Sequence, residues 1–209
     1  MSGEWNRRLD WIATILLALA TVATAWAAYQ SRTWTGEQSQ GYSHATAKRI
    51  AVNRSAALAN RQVQIDVATF IQWVDARQHG DLRLADFYRA RFRAEFKPAF
   101  AAWLATKPFT SKGAPPTPFA LPQYRLKAAA EADHLDALAA KDSDRAKAAN
   151  QRADNYMLAV VLFASALFFA GISGKMQTRG ARMAILGLGC ALFLGTVVLI
   201  ATFPVRAGI

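Results

Sequence analysis

Glu131 and His134 stand three residues apart, the Glu-x-x-His spacing with which facing helices of a bundle can hold two metal ions. Such a centre requires a second pair, and Asp75 with His79 is the only other acid and histidine one turn apart. His134 falls about 22 residues before the next apolar block, ~33 Å along a helix, whereas Asp75 and His79 close a different helix at its far end. The two pairs are therefore expected well over ~10 Å apart, as parts of a solvated charged face, with no metal and no cofactor. The single cysteine, Cys190, lies inside an apolar block and reads as a small packing residue, so no disulfide framework is available. No nucleophile, acid and base fall together in a catalytic constellation, and a non-enzymatic protein is expected.

A second chemistry is carried by Leu84, Tyr88, Phe92, Phe96, Phe100 and Trp103, an aromatic stripe at helical spacing flanked by Arg83, Arg89, Arg91, Arg93 and Lys97. Basic residues interleaved with aromatics can bind single-stranded nucleic acid. An exported segment seldom meets nucleic acid, so none is expected as a partner. The stripe is expected to form an internal cap with its arginines in water. Its alternative is a partner-binding or lipid-contacting surface built from Arg89, Arg91, Phe92 and Arg93 with the exposed-looking Phe109 and Phe119.

These residues must be held by the segments that lie between three apolar blocks. Residues 11–29, 156–173 and 183–203 contain no Asp, Glu, Lys, Arg or His, and each approaches the ~20 residues that carry a helix across ~30 Å of hydrocarbon. They account for a hydrophobic fraction of 53%, above the roughly 45–50% of soluble chains. The short loop 174–182 holds Lys175, Arg179 and Arg182 with no acid, and the tail 1–10 holds Arg7 and Arg8. Both point to the cytoplasmic side, which places 30–155 outside a bacterial plasma membrane and leaves 204–209 as a short outer tail. A cleaved signal peptide is the competing reading of the first block, since Ala25-Trp26-Ala27 has the small-x-small form of a cleavage site. Against it, Asp10 interrupts the basic start, and Trp26 and Tyr29 resemble an interfacial belt. The domain is exported under either reading.

Of the 25 Lys and Arg, 19 lie in 30–155 against 12 of the 14 acids, an excess of seven positive charges that could attract anionic polymers or lipid heads. Tyr42 to Gln78 lacks Gly and Pro, and Val63, Val67, Phe70 and Val74 form one amphipathic stripe. Gly36 and Gly41 are the expected break from the first span, and His79-Gly80-Asp81 the expected stop, with Asp81 capping the next helix. That helix is expected over Leu82 to Ala105, kinked or divided by Pro98, then a proline-rich loop over Lys107 to Pro122. From Gln123 to Asn155, Ala128, Ala132, Leu135, Ala139, Asp142, Ala146, Ala149, Ala153 and Tyr156 recur by threes and fours, a narrow seam for close helix pairing. Without Gly or Pro this helix should continue into the second span. The expected fold is an all-α membrane protein: three transmembrane helices and an extramembrane antiparallel helical hairpin, ~50 Å long, with a short helix and Pro-rich loop at its tip.

Inside the membrane, Gly187, Ala191 and Gly195 repeat a small residue every four positions, which permits close contact with another span or another copy. Thr14, Ala18, Thr21 and Ala25 form a face that could line a pore or pack, their hydroxyls otherwise bonding the preceding turn. No charge is embedded in a block, which argues against ion-coupled transport. The stretch Trp11 to Gln30 and the run Arg152-Ala-Asp-Asn-Tyr-Met-Leu-Ala-Val-Val through Gly174 resemble an uncharacterised family of bacterial three-span membrane proteins, a domain of unknown function. That resemblance implies the architecture alone. The expected function is an envelope protein that presents a helical stalk to an envelope protein or anionic polymer, in a homo-oligomer. The alternative is an oligomeric channel, or its accessory subunit, with the Thr14 face lining the path.

Overall fold

A single helix of 77 residues, α1 (Ser2–Gln78), opens the chain in the computed structural model, which describes residues 2–206. It is followed by α2 (Leu82–Arg91), α3 (Lys97–Ala105), a 3₁₀ turn at Pro118–Ala120, α4 (Lys127–Ser173) and α5 (Arg179–Ala201). Among the described residues there is no strand. Three of these helices, α1, α4 and α5, are long and apolar enough to cross a membrane. Of the expected terminal segments, residue 1 and residues 207–209 lie outside the described part.

The expected break at Gly36 and Gly41 does not occur. Both glycines are helical, and Gly41 has a packing role, since a Cβ there would come 2.9 Å from the Cβ of Ala146. The stop at the other end is as expected: Gly80 takes φ +77°, and Asp81 N–H donates to Ala76 O at 2.9 Å, closing the helix with a left-handed glycine. The Asp81 carboxylate then accepts from Leu84 N–H at 2.9 Å and caps α2. The helix expected over 82–105 is divided earlier than Pro98. Phe92 leaves the helix with φ −54° and ψ 142°, and Pro98 falls in the first turn of α3, where a missing N–H costs nothing.

The described residues form two compact units. In the first, α1 up to Ser43 packs with α4 from Asp142 onward and with α5. Ala27 and Trp34 of α1 meet Ala149, Ala153, Tyr156, Ala159 and Phe163 of α4, with Phe193 and Ile200 of α5 against them. Ser31 Oγ donates to Ala153 O at 3.0 Å, so the alanines on α4 bring the two backbones within side-chain reach of each other. Past α5, Gln30, fully buried, holds both backbone groups of Arg206, donating to its carbonyl at 3.0 Å and accepting from its N–H at 3.1 Å. In the second unit, His44–Lys141, Ala45 and Ala59 of α1 and Ala132 and Ala139 of α4 are buried, so small residues mark the inward face of both helices. The aromatic core of this unit lies at the junction of α1, α2 and α3.

Candidate functional site

Of the expected stripe, Phe92, Phe96, Phe100 and Trp103 form an internal cap with α1 and Tyr88 packs against it, whereas Leu84 is exposed. Phe70 and Trp73 project from the last turns of α1 into Phe92, Phe96, Phe100 and Trp103, with Ala76 and Ala85 closing the cluster. Phe70 meets Trp103 edge to face at 5.2 Å, and Phe96 stacks on Phe119 at 5.1 Å with 11° between the planes. Such ring pairs add ~0.5–1.5 kcal/mol each beyond area burial. The proline-rich loop is tied in by Trp103 Nε1, which donates to Pro115 O at 2.8 Å.

Below the rings lies a buried polar centre. Asp66, with no exposed surface, accepts from Arg93 Nη1 at 2.8 Å and from the Tyr124 hydroxyl at 2.9 Å, both on Oδ2. Arg93 Nη2 donates to Glu95 Oε2 at 2.5 Å, and Glu95 Oε1 accepts from the N–H of Lys127 at 3.3 Å, where α4 begins. A carboxylate at a helix N-terminus is favoured by the free N–H groups and the helix dipole. Burial raises the Asp66 carboxyl above its ordinary value, outweighing the hydrogen bond from Tyr124 and the charge of Arg93 that lower it. Burial, then the carboxylate of Asp66, hold the Tyr124 phenol well above its ordinary range. Asp66 Oδ1 and, one turn earlier, Gln62 Oε1 are enclosed without a donor. This centre joins α1, the α2–α3 link and the start of α4 by charge.

The surface residues expected to meet a partner divide into three groups. Phe92 is 3% exposed and Phe119 packs against the core, so both belong to the interior; a turn at Phe92 and the 3₁₀ turn after Pro118 swing them inward. Arg93 is held between two carboxylates. Arg89, Arg91 and Phe109 are exposed, with the Arg91 guanidinium 3.5 Å over the Phe87 ring. Between α2 and α3 a recess of about 420 Å³ has Phe92 and Phe100 as its floor and Asp86, Arg89 and Lys97 at its rim. An apolar floor under a rim of two cations and one carboxylate leaves a single net positive charge at its edge, and Lys97 Nζ donates to the carbonyl of Ala90 at 3.2 Å. Phe109, 56% exposed, lies beside Trp73 and Trp103 and lines a second recess with Arg77, Gln78 and Leu82.

Glu131 and His134 are both exposed on α4, and Asp75 lies 3.4 Å from His79 on exposed α1 surface. Among the described residues no three His, Cys, Asp or Glu side chains are grouped as a metal site would need. Thr14, Ala18, Thr21 and Ala25 are exposed along α1, and the hydroxyls of Thr14 and Thr21 donate to the carbonyls of Asp10 and Leu17 in their own helix. Gly187, Ala191 and Gly195 are exposed on α5, with nothing within 4 Å of a Cβ at either glycine. The face of α5 that packs inward is Arg182, Leu186, Gly189 and Thr196.

Asp66, Glu95 and Tyr124 are not legible as a group in the sequence, because their separations of 29 residues and more say nothing of proximity. The available signal is an aspartate on the buried face of α1, three residues past Val63. The pair of Arg182 with Asp10 across the first unit is equally hidden by 172 residues. No protein-family model, curated protein or solved structure matches this chain, so no relative bears on the likeness to the three-span family or assigns a role to these residues.

Proposed function

We propose that the protein is a three-span integral protein of a bacterial plasma membrane that presents the His44–Lys141 unit outside the bilayer as a non-catalytic docking element. The supporting observation is that α1 and α4 each run unbroken from an apolar span into a polar segment. In this reading the two helices form an antiparallel hairpin whose aromatic tip is built for recognition. The recess over Phe92 and Phe100, rimmed by Asp86, Arg89 and Lys97, is the candidate docking face, and the excess of basic residues over 30–155 favours anionic partners of the envelope. Self-association belongs to the same proposal, since the Gly187, Ala191 and Gly195 face is left open by the chain's own packing. The channel reading gains no support from the Thr14 face, whose hydroxyls are satisfied within α1.

The test is topological. With Cys190 replaced by alanine, cysteine at Ser111 should react with an impermeant thiol reagent in intact cells without an outer barrier, and cysteine at Thr178 should react only after lysis. The reverse pattern, or release of the protein from membranes by alkaline carbonate, would overturn the proposal. Light scattering of the purified protein in mild detergent separately decides whether it self-associates.

A further inference from the structure

The positive charge of residues 30–155 is confined to one part of the second unit. Residues 77–127, from the last turn of α1 to the first residue of α4, hold ten Lys and Arg against three acids, while the rest of 30–155 holds nine of each. Arg93 and Glu95 are tied up in the internal bridge to Asp66, and the Asp81 carboxylate caps α2. The other nine cations are exposed, and none of them is ion-paired among the described residues.

Large apolar side chains stand uncovered among these charges. Leu82, Leu84, Phe87 and Phe109 are between 41% and 56% exposed. On α2, Leu84, Phe87 and Arg91 follow one another at three and four residues, a stripe distinct from the inward one of Ala85 and Phe92. Arg91 lies with its guanidinium 3.5 Å over the Phe87 ring, Arg83 separates Leu82 from Leu84, and Lys107 precedes Phe109 by two residues.

This mixture discriminates between anionic partners. A soluble polyanion would neutralise the cations and leave the rings and leucines in water. A protein interface gathers its apolar residues at a centre depleted of charge, with the polar groups at the rim, whereas here every exposed apolar side chain has a cation beside it. A lipid headgroup layer takes both kinds of side chain: its phosphates meet Lys and Arg, and Phe and Leu enter the boundary of the acyl chains. We infer that the 77–127 part of the second unit binds the surface of an anionic bilayer, with Leu84 and Phe87 entering the interface and Arg83, Arg89 and Arg91 meeting its phosphates. The inference rests on the docking reading above and names the partner for it.

The experiment uses the full-length protein in nanodiscs of phosphatidylcholine alone, so that the anionic lipid is supplied only by added vesicles of equal parts phosphatidylcholine and phosphatidylglycerol. Co-flotation with the vesicles reads the binding. Wild type should float with these vesicles, and not with vesicles of phosphatidylcholine alone. Arg83→Gln with Arg89→Gln should weaken binding about fivefold per charge removed. Leu84→Ser with Phe87→Ser should weaken it by about tenfold, the value of burying two half-exposed apolar side chains. All four positions are exposed, and melting curves equal to that of wild type establish that the losses are not losses of fold. Arg54→Gln with Arg61→Gln removes the same charge from exposed positions of α1 outside 77–127, and should bind as wild type does. An equal loss in that control would overturn the inference, because binding would then follow net charge and not this surface. Unchanged binding by the Leu84 and Phe87 variant would overturn it too, leaving charge as the sole attraction and a polyanion as the partner. A protein that resists carbonate extraction yet ignores anionic vesicles sinks this inference alone, whereas one that carbonate extracts sinks the docking reading.

Discussion

Arg93 bridges Asp66 and Glu95, with Nη1 2.8 Å from one carboxylate and Nη2 2.5 Å from the other. Asp66 is on α1, Glu95 in the link between α2 and α3, and Glu95 in turn accepts from Lys127 at the start of α4. Arg93→Ala should therefore do more than remove one surface charge: it leaves a carboxylate inside the second unit with Tyr124 as its remaining donor. Removing one partner of a buried pair costs about 3–5 kcal/mol, and the Tyr124 bond points to the lower end. Urea unfolding followed by the fluorescence of Trp73 and Trp103, which lie in the adjoining aromatic cluster, gives the measurement. A loss below about 1 kcal/mol, the scale of exposed ion pairs, would show the bridge to be ornamental.

The pH dependence of Asp66 has a defined sign. Burial raises its carboxyl above the ordinary 3.8, so the folded state holds the proton more tightly than the unfolded chain does. The stability this contributes is complete below pH 3.8 and is lost as pH rises through the raised folded value. Asp66→Asn has no proton to lose. Wild type should therefore lose stability relative to Asp66→Asn as the pH is raised from about 4 to about 7, in parallel urea titrations. A relative gain over that range would mean that Arg93 and Tyr124 outweigh burial.

Gly41 and Ala146 test the seam between α1 and α4. A Cβ on Gly41 would stand 2.9 Å from the Cβ and 3.3 Å from the Cα of Ala146, and backbone cannot give way as a flexible side chain can. Gly41→Ala and Ala146→Leu should each cost about 1–3 kcal/mol by overpacking. At Gly36 nothing lies within 4 Å of the added atom, and Gly36→Ala should stabilise the helix by about 0.5–1 kcal/mol. Ala139→Leu, at a fully buried site, should destabilise where Ala140→Leu, at an exposed one, does not. Equal melting of all these variants would refute close packing along the seam.

Repetition is the part of this structure that the sequence makes legible. The alanines of α4 recur every three or four residues, and Ala132, Ala139, Ala146, Ala149 and Ala153 are all buried. The continuity of α4 into an apolar span follows from the lack of Gly and Pro, and Gly80-Asp81 marks a stop because their local chemistry suffices for one. Local glycine rules fail at Gly41, where the demand for space by Ala146 fixes the residue type and the long flanking helix tolerates it. Phe119 looks outward in the sequence because it lies in the proline-rich stretch, where no helical period places it, and the 3₁₀ turn at Pro118–Ala120 brings it against the core. The Asp66 centre depends on contacts between distant segments, which no spacing encodes.

Two sets of small residues on α5 serve different neighbours. Gly187, Ala191 and Gly195 keep the four-residue spacing that permits close contact in lipid, yet they face outward. Gly189 instead faces the chain's own helices, with a Cβ there 3.3 Å from the carbonyl oxygen of Ala166 and 3.4 Å from the Cβ of Phe169. A branched side chain at Gly189 must push α5 away from α4. Gly189→Val should consequently lower the thermal stability of the monomer in detergent, by about 1–3 kcal/mol of overpacking. Gly187→Ile with Gly195→Ile should leave that stability unchanged, since isoleucine enters open space and suits the bilayer. If copies meet through this outward face, the double variant should shift the protein from oligomer to monomer in light scattering while insertion is preserved. A double variant that stays oligomeric would place the contact elsewhere, and one that melts early while Gly189→Val does not would reverse the two faces of α5.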